Sequence, residues 1–336
     1  MNTRIVSKSV GRRAIAMVLR STGLLLASVL TICSNAHAQD YPAKPIKIIV
    51  PVPAGDSSDR VARLLAEKFR LKWGQTVTVE NRAGAGGNIG AEYVSKAPPD
   101  GYTLLFTPQF PLVVNKSLYT RLGYDPDSFT PVSKTVAGDM LLVVNPKVSA
   151  SSVQQLISFA KGNPGRLNYA SPGSGTMGHL LSETFKMKTG IKATHVPYKG
   201  ASQALTDLLS GEVDMMFVAI GTALPYIHSG RIRAIGLASE KRSPVLPDVP
   251  TFAESIPDFV FNFWFGMVAP PGTPAAIAGT LSQTIADALK QPDVAAALST
   301  LNMQPVGSTP AGMDKLMKVE RERWSAIVHA SGAVVE

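Results

Sequence analysis

Three loops of this sequence combine glycine, serine and proline where a predicted strand gives way to a predicted helix: residues 51–58, 171–175 and 199–200. The first backbone N–H groups of a helix have no partner within the helix, and the helix dipole favours negative charge beside them. In an open α/β sheet such loops lie at the carboxyl edge of the strands, where ligands bind. Each loop alone could be a plain connection, but together the three predict a cleft that holds a small anion.

The residues that could catalyse a reaction or bind a metal do not form a known motif. Ser174 lies between two glycines, but Pro172 stands where a nucleophile elbow needs glycine. The glycines of residues 84–90 miss the spacing of a dinucleotide fingerprint. No two histidines after residue 38 lie three or four positions apart, a common spacing of paired metal ligands. The sequence predicts no catalytic residue, metal or cofactor, although His179, just after the second loop, could face the cleft or pack beneath it.

Asp56 places a negative charge in the first loop, which would otherwise attract an anion. Its carboxylate either points to solvent or binds a hydrogen-bond donor of the ligand. Asp59 lies near the start of the following helix, where aspartate commonly caps the helix or lies at the surface. The first loop therefore has the backbone pattern of an anion-binding site but also carries the negative charge of Asp56.

Short apolar segments alternate with segments of helical periodicity along the chain. The predicted strands are residues 46–50, 77–79, 102–106, 140–144, 167–170, 195–198, 213–219 and 232–237. The predicted helices include residues 59–73, 176–188, 201–209 and 311–329, and one that begins at Ser152 with a capping-box pattern. This alternation predicts two parallel-rich α/β sheets. The apolar segments 140–144 and 259–269 could cross between two domains.

The first 38 residues have the composition of an export signal. A basic stretch without acidic residues accompanies the apolar run 21–32, which is shorter than a membrane span. Ala36 and Ala38 are the small residues that a signal peptidase requires, so cleavage is predicted after Ala38. Arg12-Arg13 leaves twin-arginine export open beside the general secretory route, and Cys33 leaves a lipoprotein open.

Removal of this segment changes the charge and the redox chemistry of the chain. The full sequence has a formal charge of +9, but residues 39–336 hold 28 Lys and Arg against 24 Asp and Glu, or +4. This balance argues against a nucleic-acid-binding protein. The single cysteine is removed as well, which excludes disulfides, thiolate catalysis and cysteine metal sites. A multi-span membrane protein is excluded because one apolar run alone approaches the spanning length.

Several segments resemble one family of receptors. They are residues 53–60, 80–90, 99–105, 198–200 and 211–214, with the sequences PAGDSSDR, ENRAGAGGNIG, PDGYTLL, YKG and GEVD. In order and over essentially the whole chain after the signal segment, they are similar to the Bug receptors, the extracytoplasmic solute-binding proteins of tripartite tricarboxylate transporters. The resemblance implies an α/β, two-domain type II periplasmic-binding-protein fold with a ligand cleft between the domains. It implies a first domain of residues 39–142 and 262–336 and a second of residues 143–261.

The resemblance also implies a carboxylated ligand held by backbone amides, hydroxyls and bridging waters. The corresponding first-domain contacts in this sequence are Ala54, Gly55, Ser57, Ser58 and Asp59. The corresponding second-domain contacts are Ser174, Thr176, His179, Lys199, Gly200 and Ala201. The sequence departs from the common family pattern where Asp56 replaces a second glycine, Ser58 replaces a threonine and Val218 replaces an aspartate.

The loop after the third predicted strand adds Gln109 and Phe110 to the expected ligand contacts. This loop is richer in aromatic character than a citrate site needs. Phe106, Phe217, Trp264 and Phe265 could also line the cleft. The hypothesis is a ligand with an apolar or aromatic body and one or two carboxylates; the alternative is that these rings belong to the core of the strands.

The resemblance predicts a periplasmic receptor that captures a small carboxylate between two closing domains and delivers it to the membrane subunits of a tripartite tricarboxylate-type transporter. Binding would shift an open form to a closed one without making or breaking a bond. The sequence carries no oligomerisation motif, so a monomer is expected. Two alternatives stay open: an exported enzyme that acts on a small organic acid through His179 or Asp59, and a receptor that presents its ligand to a sensor kinase.

Overall fold

The computed structural model describes residues 41–335. The predicted signal peptide and its cleavage site after Ala38 lie outside the described residues. The strands are β1 (Ile46–Val50), β2 (Val77–Asn81), β3 (Thr103–Pro108), β4 (Thr130–Val144), β5 (Leu167–Ser171), β6 (Ala193–Pro197), β7 (Met215–Ala219), β8 (Arg233–Leu237), β9 (Asn262–Ala269) and β10 (Gln304–Pro305).

The helices alternate with these strands over most of the chain. They are α1 (Ser57–Trp73), α2 (Asn88–Ser95), α3 (Phe110–Val113), α4 (Asn115–Leu118), α5 (Val153–Gly162), α6 (Met177–Thr189), α7 (Ala201–Ser210), α8 (Ile220–His228), α9 (Ala275–Leu289), α10 (Pro292–Thr300) and α11 (Pro310–Ser331). Short 3-10 helices span Ala85–Gly87 and Phe252–Glu254.

Most of the strands form one hydrogen-bonded path in the order β2-β1-β3-β9-β4-β7-β5-β6, and β8 and β10 also pair with β4. β1 lies parallel to β2 and β3, and β5 lies parallel to β6 and β7. β9 runs antiparallel between β3 and β4, and β7 and β8 run antiparallel to β4. Two parallel groups are therefore joined through antiparallel strands, which confirms the α/β class predicted from the alternation of strands and helices.

β4 is the strand that both parallel groups share. Its residues 130–139 pair with β9, whereas its residues 140–144 pair with β7. The side chain of Asn262, at the start of β9, donates a hydrogen bond to Asp139 close to this change of partner. The predicted strand 140–144 is thus the end of a longer strand. The preceding residues were not predicted because they are small or polar and their partner β9 lies far along the chain.

The second parallel group is covered on both faces. Along β4, Leu141 and Val143 pack into one apolar cluster, whereas Leu142 and Val144 pack into another. Alternate side chains of a strand point to opposite faces, so the two clusters lie on opposite sides of the sheet. Helices on both faces are the usual consequence of parallel pairing.

The C-terminal helix α11 packs against β4 and is linked to β9 by a hydrogen bond. Glu320 on this helix accepts hydrogen bonds at 3.1 Å from the indole N–H groups of Trp264, on β9, and of Trp324, on α11 itself. The ring centre of Trp324 lies 5.6 Å from that of Phe261, just before β9. Neither α11, with 22 residues, nor any other helix in residues 41–335 is long and apolar enough to cross a membrane.

The other predicted elements are confirmed with end shifts of a few residues, but α3, α4, α8 and β10 were not predicted. For α8 the reason is that the apolar run of β7 continues into it and hides the change of period. The capping box at Ser152 is half present. The Ser152 hydroxyl accepts from the backbone N–H of Gln155, but the Gln155 side chain accepts from Ser151 and not from Ser152.

Candidate ligand cleft

Two adjoining cavities lie where the predicted loops meet, and together they are called the cleft. The larger has a volume of about 310 Å³ and the smaller about 210 Å³, and Val52, Pro108 and Thr176 line both. The larger cavity is also lined by Asp56, Ser57, Met140, Pro172, Met177, Gly178, Ala201, Met216, Phe217, Val218, Ala219, Thr222, Phe263 and Phe265. The smaller is also lined by Pro51, Gly86, Gly87, Phe110, Pro111, Asn115, Leu118, Tyr119, Ser174 and Gly175.

Asp56 caps the helix that follows the first loop. Its Oδ1 accepts hydrogen bonds from the backbone N–H of Ser58 at 2.9 Å and from the Ser58 hydroxyl at 3.0 Å. A carboxylate at this position satisfies a backbone donor that the helix leaves free and complements the helix dipole. Asp56 is exposed, as the first of its two predicted roles expects, and its carboxylate also caps α1, a role that was not predicted.

Asp59 anchors the same loop. Its side chain is 2% exposed, and its Oδ2 accepts from the backbone N–H of Gly55 at 2.9 Å and from Arg63 Nε at 3.0 Å. Its Oδ1 accepts from Asn81 Nδ2 at 2.9 Å. Burial by itself would raise the pKa of Asp59, but the hydrogen bonds from Arg63, Gly55 and Asn81 together hold that pKa below its usual value. The carboxylate is therefore charged and bound on three sides within the protein.

The second loop turns on two glycines with positive φ, Gly173 at 139° and Gly175 at 77°, values that other residues rarely adopt. The Thr176 hydroxyl donates to the Gly173 carbonyl at 2.7 Å and closes the turn. α6 begins at the next residue, and no side chain caps it. Ser174 is exposed and lines the smaller cavity, and its hydroxyl has no hydrogen-bond partner among residues 41–335.

His179 lies beneath this loop and lines neither cavity. It is 8% exposed, and its Nδ1 accepts a hydrogen bond from the backbone N–H of Gly175 at 3.0 Å. Its ring is stacked on that of His195, with ring centres 4.1 Å apart, and the ring of Tyr169 lies 4.8 Å from His195. Of the two roles that the sequence left open for His179, the geometry favours packing beneath the loop.

The stacked histidines predict a loss of stability in mild acid. Burial lowers the pKa of both rings from 6.5, and the neighbouring His179 lowers that of His195 further, to about 4. The unfolded chain takes up protons near the ordinary pKa while the folded rings stay neutral, so the free energy of unfolding falls as the pH drops from about 6.5 towards 4. We expect a loss of roughly 2 kcal/mol between about pH 7 and pH 5, measured by urea unfolding.

A double variant controls for other groups that titrate in this range. His179→Asn keeps an acceptor for the Gly175 N–H, and His195→Gln keeps a polar group beside the Ser171 hydroxyl, which lies 2.7 Å from His195 Nε2. Neither replacement can be protonated, so the double variant should lose much less stability over the same pH range. Equal losses in the two proteins would show that other groups cause the effect.

The third loop leads into α7. Gly200 precedes the helix with a φ of 138°, and no side chain caps the helix. Ala201 lines the larger cavity, whereas Lys199 is exposed and lines neither cavity. α6 and α7 thus both begin uncapped beside the larger cavity, whereas α1 begins with the Asp56 carboxylate on its end.

The loop after β3 contributes one of its two predicted residues to the cleft wall. Phe110 lines the smaller cavity. Gln109 is 1% exposed, lines neither cavity, and accepts a hydrogen bond from the backbone N–H of Trp264 at 2.8 Å. Its Nε2 has no hydrogen-bond partner among residues 41–335. Gln109 therefore ties the end of β3 to β9.

Alternation along β9 decides which predicted rings face the cleft. Phe265 lines the larger cavity, whereas Trp264 is buried outside both cavities. Phe217 lines the larger cavity, and Phe106 is fully buried and lines neither. Phe263 also lines the larger cavity and was not predicted. Counting back two residues from Phe265 along the strand would have found Phe263 and excluded Trp264.

The position of the Phe263 ring depends on the glycine opposite it. Gly138 of β4 pairs with Phe263 in the antiparallel ladder. A Cβ atom at position 138 would overlap the ring atoms of Phe263. Because glycine has no side chain, position 138 leaves the space in which the Phe263 ring lies against β4.

The predicted contacts divide into two groups. Those that line the cleft are Ser57, Phe110, Ser174, Thr176 and Ala201. Those that the structure places outside its walls are Ala54, Gly55, Ser58, Asp59, Gln109, His179, Lys199 and Gly200. Of the apolar part of the wall, Phe110, Phe217 and Phe265 were predicted, whereas Met140, Met216 and Phe263 were not.

Comparison with known sequences identifies the family. The sequence profile of the tripartite tricarboxylate transporter family receptor matches residues 61–333. Protein BugT of Bordetella pertussis is 38% identical over 319 residues, which cover 94% of this chain and 98% of that protein. A protein from the tcbD-tcbE intergenic region of Pseudomonas sp. strain P51 is 37% identical over 323 residues, with 95% and 94% covered.

Solved structures show the same fold. R. palustris Rpa4515, solved with adipate, has 35% identity and a TM-score of 0.77, covering 88% of this chain and 99% of that one. The periplasmic binding protein BugD has 32% identity and a TM-score of 0.74, covering 88% and 100%. MatC from Rhodopseudomonas palustris, solved with malate, has 32% identity and a TM-score of 0.73, covering 86% and 100%. The resemblance seen in the sequence is confirmed, and the chain belongs to the receptor family of the tripartite tricarboxylate transporters.

Proposed function

We propose that this protein captures a small carboxylate in the cleft and delivers it to the membrane subunits of a tripartite tricarboxylate-type transporter. The observation that carries the proposal is the meeting of two uncapped helix starts, those of α6 and α7, at one cavity. Backbone N–H groups at such positions suit an anion. Like Ser174, Ser57 lines the cleft with a hydroxyl that has no hydrogen-bond partner among residues 41–335. The relatives Rpa4515 and MatC, solved with adipate and malate, support a carboxylate.

We infer that capture closes two domains on the ligand, residues 39–142 with 262–336 as one and residues 143–261 as the other. The support is the strand β4, whose pairing partner changes from β9 to β7 between Asp139 and Met140, close to the proposed boundary. A bend there would change the distance between loops from the two parallel groups. Ligand should therefore reduce the radius of gyration in small-angle X-ray scattering, and an unchanged radius at saturation would contradict closure.

The proposed site of action is the periplasm, after export and cleavage following Ala38, with the receptor acting as a monomer.

No chemical step is assigned to the cleft. Ser171 and His195 are in hydrogen-bond contact, but Ser171 is fully buried and lines neither cavity, so its hydroxyl is not presented to a substrate. The expected activity is binding without turnover.

A thermal-shift panel on residues 39–336 tests the proposal. The panel covers aliphatic mono-, di- and tricarboxylates, acidic amino acids and aromatic acids. A ligand at one hundred times its dissociation constant adds about 2.7 kcal/mol to stability, which should raise the midpoint by roughly 4 °C or more. We expect one class of acid to give such a shift and to be recovered unchanged. A flat panel, or turnover of a bound acid, would contradict the proposal.

Two serine variants place the binding in the cleft. Ser174→Ala removes an unpartnered hydroxyl from the smaller cavity, whereas Ser210→Ala removes an exposed hydroxyl that donates to the Asp207 carbonyl at the end of α7. We expect the first to weaken binding of the acid found in the panel about threefold to tenfold, as the loss of one hydrogen bond would. The second should bind like the unmodified protein.

A further inference from the structure

The charged groups of the cleft wall are unfavourable to a second ligand carboxylate. Among the residues of 41–335 that line the two cavities, Asp56 alone carries a formal charge. The wall contains no lysine, arginine or histidine. A dianion bound here would meet no opposite charge from the cleft wall and would meet one like charge.

The Asp56 carboxylate also occupies one of the four helix starts at the larger cavity, those of α1, α6, α7 and α8. Its Oδ1 takes the backbone and side-chain donors of Ser58. Its Oδ2 has no hydrogen-bond partner and its carboxylate forms no ion pair among residues 41–335, so one oxygen remains free to accept. A ligand carboxylate placed at α1 would therefore compete for bonds already made and would be repelled by the group that makes them.

The other helix starts at the larger cavity follow strands of the second parallel group. Met177 and Gly178 at the start of α6, Ala201 at the start of α7 and Thr222 near the start of α8 line it, and no side chain caps these helices. In the strand order β9, β4 and β7 lie between β1 and β5, and they line the cavity with mainly apolar side chains, among them the rings of Phe263 and Phe265. A ligand carboxylate thus fits at one end, an apolar body in the middle, and a hydrogen-bond donor at the Asp56 end.

We propose that the cleft selects monocarboxylates with an apolar body, prefers those with a hydroxyl at the far end, and discriminates against a second carboxylate through Asp56. This inference rests on the proposed function as a carboxylate receptor. It sets the protein apart from Rpa4515 and MatC, which were solved with the dicarboxylates adipate and malate.

Two matched series of acids test the inference by calorimetry on residues 39–336. One is hexanoate, 6-hydroxyhexanoate and adipate; the other is benzoate, 4-hydroxybenzoate and terephthalate. In the series that binds, we expect the hydroxy acid to bind most tightly and the diacid at least tenfold more weakly than the plain monoacid. A diacid that binds as tightly as the monoacid would overturn the inference and leave the carboxylate receptor standing. Failure of both series and of the wider acid panel would overturn the proposed function itself.

The variant Asp56→Asn isolates the charge, because asparagine is as good an N-cap residue as aspartate. Relative to the unmodified protein, its affinity for the diacid should rise at least tenfold and its affinity for the monoacid should change by no more than about twofold. Its preference for the hydroxy acid over the plain monoacid should become smaller. Asp248→Asn removes an exposed carboxylate that does not line the cleft and should change none of these ratios. An Asp56→Asn protein with unchanged selectivity would also overturn the inference.

Discussion

Replacing Asp59 with alanine is expected to lower the free energy of unfolding by about 2–4 kcal/mol. The variant leaves the Gly55 N–H without its acceptor and removes one of the two acceptors of Asn81 Nδ2, the other being the Val52 carbonyl, at a position where Asp59 is 2% exposed. It also removes an acidic group from the first turn of α1, where the helix dipole favours negative charge. A fall in the melting midpoint of several degrees should accompany the loss, since a chain of this size shifts by roughly 2–4 °C per kcal/mol.

The matched control lies on the same helix. Glu67 forms an exposed ion pair with Arg70, and such pairs contribute little. Glu67→Ala should therefore unfold almost like the unmodified protein, while Asp59→Asn should fall between the two alanine variants because it keeps one acceptor oxygen. Because the pKa of Asp59 is lowered in the folded protein, its contribution is present at neutral pH and is lost as the pH falls through that pKa. Equal stability of the two alanine variants at neutral pH would contradict this role for Asp59.

Replacing Gly138 with alanine is expected to weaken ligand binding at least tenfold with a smaller effect on stability. The new methyl group would overlap the Phe263 ring, and the ring must then leave its place against β4. Phe263 lines the larger cavity, so the displaced ring reduces the space for a ligand. Calorimetry with the acid that gives the largest thermal shift measures the effect.

A double variant separates displacement of the ring from damage to the strand. In Gly138→Ala with Phe263→Ala, the methyl group has no ring to displace, so binding should recover in part relative to Gly138→Ala alone. Gly279→Ala adds the same methyl group to α9, where no atom lies within 4 Å of its Cβ, and should leave binding unchanged. No recovery in the double variant would show that Gly138 acts through β4 itself.

Much of the fold follows from local pattern, and the exceptions have physical causes. The mostly apolar run of β1, with four apolar residues and Lys47, predicts a strand because a strand covered on both faces is largely apolar. The first ten residues of β4 show no such pattern, because their place is set by pairing with β9 and not by their own composition. α8 was missed since one apolar run covers both β7 and the helix after it.

The location of the site was predicted more accurately than its individual contacts. Two of the three loops that the spacing indicated contribute residues to the cleft wall, and the third leads into Ala201, which lines it. What the sequence could not give is which donors are already used: Ser58 bonds to Asp56, and Gly55 bonds to Asp59. The stacking of His179 on His195 could not be predicted from the sequence either. His179 lies on α6 and His195 on β6, and β6 is positioned by its pairing with β5.

The two indoles that share Glu320 give the protein an internal optical reporter. The chain holds three tryptophans, and two of them, Trp264 and Trp324, donate to the same carboxylate oxygen between β9 and α11. The proposed bend lies in β4 at Asp139 and Met140, close to Ala137, which pairs with Trp264, so the bend would change the surroundings of Trp264. The third tryptophan, Trp73, lies at the end of α1 and serves as an internal reference. Closure on a ligand can therefore be followed by fluorescence emission without attaching a dye.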